Sequence, residues 1–222
     1  MGLNIGFYHS AGILFGAGAK LFDDKQVCVL DQGNGIVDAL TFMKTAKGTA
    51  NVLADGDGGK LDAAFKDGKI GMVFNGPWAS GDYAKALGAD KIAIADPIVL
   101  KSSGKTFAPF LGTKNIFLSA NSKGDAQAAA IKLLASLTDP GIQAEFVKVG
   151  HIPSNPATKT DSKIVAGFIK QTQSASYFPN EPEMGAVWTP AGDMIVKALE
   201  GKAEPAAAAQ EAAKAINAAN KK

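Results

Sequence analysis

Apolar residues recur at helical spacing in most of this chain and alternate in a few short runs, so the pattern predicts helices interleaved with strands. Ile36, Val37, Leu40 and Met43 share one helical face after Asp31, a candidate N-cap, and Leu61 and Phe65 mark a shorter helix over 59–66 that Gly68 can end. Ile70, Met72 and Phe74 alternate with Lys69, Gly71 and Val73 and predict a strand, and the turn residues Asn75-Gly76-Pro77-Trp78 follow. A helix over 79–87, a buried strand over 91–95 and a strand around Ile116-Phe117-Leu118 come next. Further on, Ala129, Leu133, Leu134 and Leu137 predict one helix. Asp139-Pro140, a cap followed by an N1 proline, opens another that carries Ile142, Phe146 and Val149. Ile164, Val165, Phe168 and Ile169 define an amphipathic helix, Met194, Ile195, Ala198 and Leu199 a later one, and alanine-rich 203–219 a terminal helix with a thin apolar face. Near the start, the glycine-rich segment 12–18 reads as a loop leading to a short strand over 19–22.

Strands alternating with helices of this length indicate an α/β protein built of βα units. Two stretches of lower hydrophobicity act as connectors: 96–105, with Pro97, Ser102, Ser103 and Gly104, and 151–160, with Pro153 and Pro156. They predict that residues 1–99 and 161–222 form one lobe and that 100–160 belongs to another. With 222 residues, 46% of them hydrophobic and 20% charged, the chain is long enough to bury a core and has no compositional mark of disorder. All 23 basic residues are lysine and they are scattered, which argues against nucleic acid as a partner, because that needs a basic stripe and usually arginine. No apolar run is long enough for a transmembrane helix, and no charged and apolar leader pattern is visible at the start. The single cysteine, Cys28, fits a small buried apolar residue better than a reactive thiol.

The segment from Leu61 to Trp78, LDAAFKDGKIGMVFNGPW, resembles a pattern of maltodextrin-binding solute-binding proteins in which a helix ending AF-x-x-G precedes a strand and an NGPW turn. Leu137 to Phe146, Asp96-Pro97 through Gly112, and Pro179 to Trp188 are similar to further stretches of the same family, in the same order. The resemblance implies the C-terminal lobe of a type II periplasmic-binding-protein-like fold with a segment of the N-terminal lobe, hinged at the two connectors. It also implies a carbohydrate-binding component of an ABC transport system, extracytoplasmic in its full-length form. Members of the family are longer, so the expectation is a truncated portion with impaired binding. Its partners would be a maltodextrin-like oligosaccharide, the transporter's membrane subunits, and either the absent N-terminal lobe or another copy of the chain. Ile116, Phe117, Leu118, Leu133 and Leu137 would otherwise stay partly uncovered.

A sugar offers an apolar C–H face and a rim of hydroxyls, which calls for flat aromatic plates and a few fixed polar groups. By resemblance Trp78 and Trp188 are stacking plates facing a common groove, Pro77 shapes the turn beside the first, and Phe7 or Tyr8 supplies another platform. Tyr177 either lines the cleft or anchors its loop. Thr189 and Gly192 replace a tyrosine and an arginine of the family pattern, which leaves the identity of the sugar open, and another small solute or a purely structural, oligomerising role remains an alternative. Catalysis is not expected. Asp55/Asp57 and Glu181/Glu183, the carboxylate pairs a glycosidase would need, lie in turn-like segments where solvated charge is commonest. His9 and His151 lack the neighbours of a metal set, and Gly12 to Lys20 matches no nucleotide-binding loop, so no metal or cofactor is expected.

Overall fold

A computed structural model describes residues 1–101 and 103–222. Ser102, counted in the first connector, lies outside the described residues. The chain divides into two compact units, one comprising Met1–Asn75, Pro97–Leu111 and Gln171–Lys222, the other Gly76–Asp96 and Gly112–Lys170.

The first unit begins with strand β1 (Gly2–Asn4) and helix α1 (Phe7–Gly16), followed by α2 (Gly35–Lys47), β2 (Leu53–Asp55) and α3 (Gly58–Lys66). β1 and β2 pair in parallel, Leu3 opposite Ala54. The glycine-rich segment expected to be a loop is instead the C-terminal half of α1, with Gly12, Ile13, Leu14 and Gly16 buried. Close packing explains this. A Cβ on Gly12 would overlap the Phe107 ring, and one on Gly16 would lie 2.9 Å from the Thr106 carbonyl oxygen. The two glycines therefore let residues 106–108 lie against the helix, and Ala108 donates its amide to the Gly12 carbonyl at 2.9 Å. Asp31 is not the cap of α2, which starts after Asn34. Gly35 there sits against the backbone of Gly18 and Ala19, with no room for a side chain.

Strand β3 (Phe110–Leu111) precedes a region of the second unit, after which the first unit resumes with β4 (Ser176–Tyr177). β4 pairs in parallel with β3, and α8 (Trp188–Leu199) and α9 (Pro205–Ala219) follow. Leu14, Leu40, Met43, Met194, Ile195 and Ile216 form the centre of this core. α9 buries Ala208, Ala209, Ala212, Ala213 and Ile216. A face of methyl groups suffices because small side chains let neighbouring helices approach closely, so the backbone itself contributes dispersion contact. Asn217 ties this helix to the 22–28 turn: its Nδ2 donates to the Cys28 carbonyl at 3.0 Å and its Oδ1 accepts the Cys28 amide at 2.7 Å. Cys28 is buried, and burial pushes its thiol up to about 11, so it behaves as the expected apolar filler.

The second unit holds a 3-10 turn (Pro77–Ala79) running into α4 (Ser80–Leu87), then α5 (Gly124–Leu137), α6 (Pro140–Lys148) and α7 (Lys163–Thr172), whose last two residues fall in the first unit. Asp139 caps α6 as its spacing predicts, accepting the Gly141 and Ile142 amides. Gly76–Asp96, expected with the flanking lobe, groups here instead. Its end is held by a 2.6 Å Asp96–Lys170 ion pair and by Ile94 packed on Gly167. The runs 70–74, 91–95 and 116–118 form no strand among the described residues: Val73 makes a single bridge to Gly2, and neither 91–95 nor 116–118 takes part in a sheet ladder. Alternation marks a segment's capacity to be a strand, whereas a strand exists only where a second one meets its backbone groups. α5 buries no residue, and Ile116, Phe117, Ile131 and Leu133 are exposed.

Candidate functional site

Among the described residues, Phe7, Tyr8, Phe15, Phe110, Phe178 and Trp188 of the first unit are joined by ring contacts. Phe110 is central: its ring centroid lies 5.0 Å from Phe178, 5.1 Å from Phe15, 5.8 Å from Tyr8 and 6.0 Å from Phe7. Trp188 closes the group. It stacks on Phe178 at 5.9 Å with the planes 21° apart and meets Phe7 edge-on at 6.1 Å. Its neighbours therefore fix the indole from one side, while the residue remains 41% exposed. An amphipathic plate clamped in this way can accept a flat apolar face without first losing much side-chain freedom.

The backbone explains why these rings meet. Phe7 and Tyr8 open α1, Phe110 is the first residue of β3, and Phe178 follows β4, where its amide donates to the Leu111 carbonyl at 3.1 Å. Trp188 begins α8, whose buried residues Ala191, Met194 and Ile195 anchor it in the core. Of the pair at the start of α1, Phe7 is buried and supports the wall from behind; Tyr8 keeps part of its ring open. Burial pushes the Tyr8 phenol above its ordinary value, so it stays a neutral hydroxyl able to donate and accept.

Trp78 and Pro77 lie in the second unit. Their turn is held by the Ser80 hydroxyl, which donates to the Pro77 carbonyl at 2.7 Å, and by the Ala79 amide donating to Gly76 at 3.2 Å. Gly150, at φ +89°, packs beneath it where a Cβ would be 2.7 Å from the Pro77 oxygen. Gly76 has its own reason: a Cβ there would overlap the Trp78 ring. The Asn-Gly-Pro-Trp turn thus leaves the Trp78 residue 50% exposed. Tyr177 is 85% exposed and stands apart from the ring contacts made by its neighbour Phe178. Phe15, Phe110 and Phe178 were not singled out from sequence, because each sits at the end of an element or in a short strand whose partner lies far along the chain.

Three of the four acidic residues in those pairs, all but Glu181, have structural partners. Asp57 caps α3 by accepting the Gly59 amide, and Asp55 accepts the Asp57 amide and pairs with Lys60 at 3.3 Å, interactions that hold its carboxyl below its ordinary value. Glu183 pairs with Lys222 at 3.2 Å. His9 is half-buried, and that burial lowers its pKa against the opposing pull of Asp62. Among the described residues no cluster of three or more histidine, cysteine or acidic side chains is placed to hold a metal ion.

A sequence profile for bacterial extracellular solute-binding proteins matches residues 4–171. The chain belongs to that family. Over 95% of its length this solute-binding protein is 28% identical to the maltodextrin-binding protein MdxE of Bacillus subtilis. It spans about half the length of the curated relatives it matches, 52% in that case. Its backbone follows that of the maltose/maltodextrin-binding domain from Bdellovibrio bacteriovorus bound to maltotriose with a TM-score of 0.83 at 27% identity, covering all of this chain and 60% of that one. The maltotriose-binding protein of Thermus thermophilus, bound with maltotriose, gives a TM-score of 0.82 at 29% identity, over 99% of this chain and 61% of the other. The fold of this solute-binding protein is therefore that of the maltose-binding proteins, a type II periplasmic-binding-protein-like α/β architecture.

Proposed function

We propose that this chain carries carbohydrate-stacking surfaces of a maltodextrin-binding component of an ABC importer, working outside the cytoplasm. The observation that carries this reading is Trp188, half-exposed and held flat against Phe178. Trp78, with Pro77 in its turn, and Tyr8 with Phe7 behind it are further contact residues, and Tyr177 contributes at the periphery. Support comes from relatives whose names specify maltodextrin or maltotriose.

The test is a titration of isotope-labelled protein with maltotriose, followed at the two indole N–H signals and the Tyr8 amide. Those signals are expected to move in the millimolar range with maltotriose and not with glutamate; signals that stay fixed at saturating sugar defeat the reading. Because the chain spans about half the length of its relatives, the 222 residues alone are expected to bind more weakly than a protein of the relatives' length.

A second feature supports a polypeptide partner for the second unit. Phe117 is 83% exposed, and Ile116, Ile131 and Leu133 are each more than half exposed, an amount of apolar surface that usually marks an interface. Further polypeptide of the same protein, or another copy of this chain, covers it. Light scattering of the chain alone is expected to show mass rising with concentration if another copy is the cover, and a constant monomer mass up to about 100 μM, a range where a typical weak hydrophobic contact would register, counts against the second copy and leaves further polypeptide as the partner.

A further inference from the structure

A concavity of about 380 Å³ lies wholly within the first unit. This is near the lower end of the range in which small ligands are held, about 300–1,000 Å³. It shares Phe15 and Phe110 with the aromatic wall, and neither Trp188, Tyr8 nor Phe7 lines it. We propose that it is a second saccharide site taking one neutral pyranose ring, with Phe22 and Tyr177 offering apolar surface and Gln26, Ser176 and Glu181 meeting the hydroxyls. The inference rests on the reading of the chain as a carbohydrate binder and adds a site to it.

The lining has the two components a sugar needs. Phe15, Phe22, Phe110 and Tyr177 are the apolar part. Tyr177, although 85% exposed, is not on a free loop. It is the second residue of β4, opposite Leu111, and the next amide is bonded to the Leu111 carbonyl. A ring kept in water on a paired strand is placed for contact rather than for packing.

The polar part has unused capacity. Among the described residues the side chains of Lys20, Gln26, Ser176 and Glu181 make no hydrogen bond or ion pair with the protein. Elsewhere carboxylates are commonly engaged by lysine, as in Asp62–Lys66, Glu145–Lys148 and Glu211–Lys197. With Asp23 and Glu181 set against Lys20, the rim carries more negative than positive charge, which disfavours phosphate or carboxylate ligands and leaves acceptors for hydroxyl donors.

Gln26 supplies the most specific observation. It has φ +58°, a left-handed conformation that glycine or asparagine adopts more readily. The turn enforces it: Asp23 donates its amide to Val27 and accepts that of Gln26, both at 3.0 Å, and its carboxylate accepts the Lys25 and Val27 amides. A long amide side chain is thus kept, against backbone preference, at a position where it lines the cavity.

The experiment is a titration of the labelled 222-residue chain with glucose and with maltotriose, read at the amides of residues 23–27 and 176–178 and at the Trp188 indole. The cavity amides are expected to shift with glucose, and still to shift in Trp188→Ala. Tyr177→Ala is expected to raise the dissociation constant at these amides about tenfold, as loss of one aromatic platform does. Gln26→Gly is expected to raise it several-fold without lowering the thermal midpoint, because glycine relieves the positive φ. If the indole moves and the cavity amides do not, the second site is refuted while the proposed function stands; if neither moves, both fail. Equal shifts with glutamate or phosphate, or unchanged constants in both cavity variants, also overturn it.

Discussion

Trp188→Ala is expected to weaken maltotriose binding by about 2 kcal/mol, roughly thirtyfold, while changing the unfolding free energy by less than about 1 kcal/mol. The asymmetry follows from where the indole sits. One face is in contact with Phe178 and an edge with Phe7, but the residue is 41% exposed, so truncation opens no sealed cavity. What is lost is a flat amphipathic surface already fixed in place, of the kind whose removal costs affinity rather than stability. Trp188→Phe is expected to recover part of the loss, because a smaller ring can still lie on Phe178. Calorimetry at several protein concentrations, together with urea unfolding of both variants, measures the two quantities separately. An alanine variant that binds as tightly as the parent removes Trp188 from the site.

How much of this was readable in the sequence depends on how far apart the interacting residues are. The α6 cap at Asp139-Pro140, the stop at Gly68 (φ +71°) and the helices carrying Ile36–Met43 and Met194–Leu199 are local events, complete within a few residues, and the pattern predicted them. Gly12 and Gly16 misled for the opposite reason. Glycine permits both turns and close packing, and Phe107, which selects packing, is ninety-odd residues away. The runs 70–74, 91–95 and 116–118 alternate as strands do, yet their state depends on partners the alternation cannot name. At the site, Trp78 and Trp188 stood out because tryptophan is scarce, with only two in the chain. The wall behind Trp188 did not: Phe15, Phe110 and Phe178 have no motif, and meet because β3 pairs with β4 across more than sixty positions.

Ile195→Ala is expected to reduce the unfolding free energy by about 3–4 kcal/mol and the thermal midpoint by roughly 10 °C. Ile195 is fully buried in α8, seven residues after Trp188 and hence two turns along the same face, with Ala191 between them. Its side chain belongs to the core shared by α2, α8 and α9, where the small residues of α9 already bring the helices close. Such a site has little freedom to collapse, so the deleted methylenes leave a void rather than a contraction. Ile195→Val, which removes one carbon, is expected to cost about 1 kcal/mol. Because α8 positions Trp188, the alanine variant should also bind sugar more weakly at temperatures near its lowered midpoint and recover affinity on cooling, whereas the loss in Trp188→Ala persists at every temperature. Differential scanning calorimetry paired with titrations at two temperatures separates a missing plate from a loosened support, and a midpoint unchanged by Ile195→Ala would show that this core does not hold the helix.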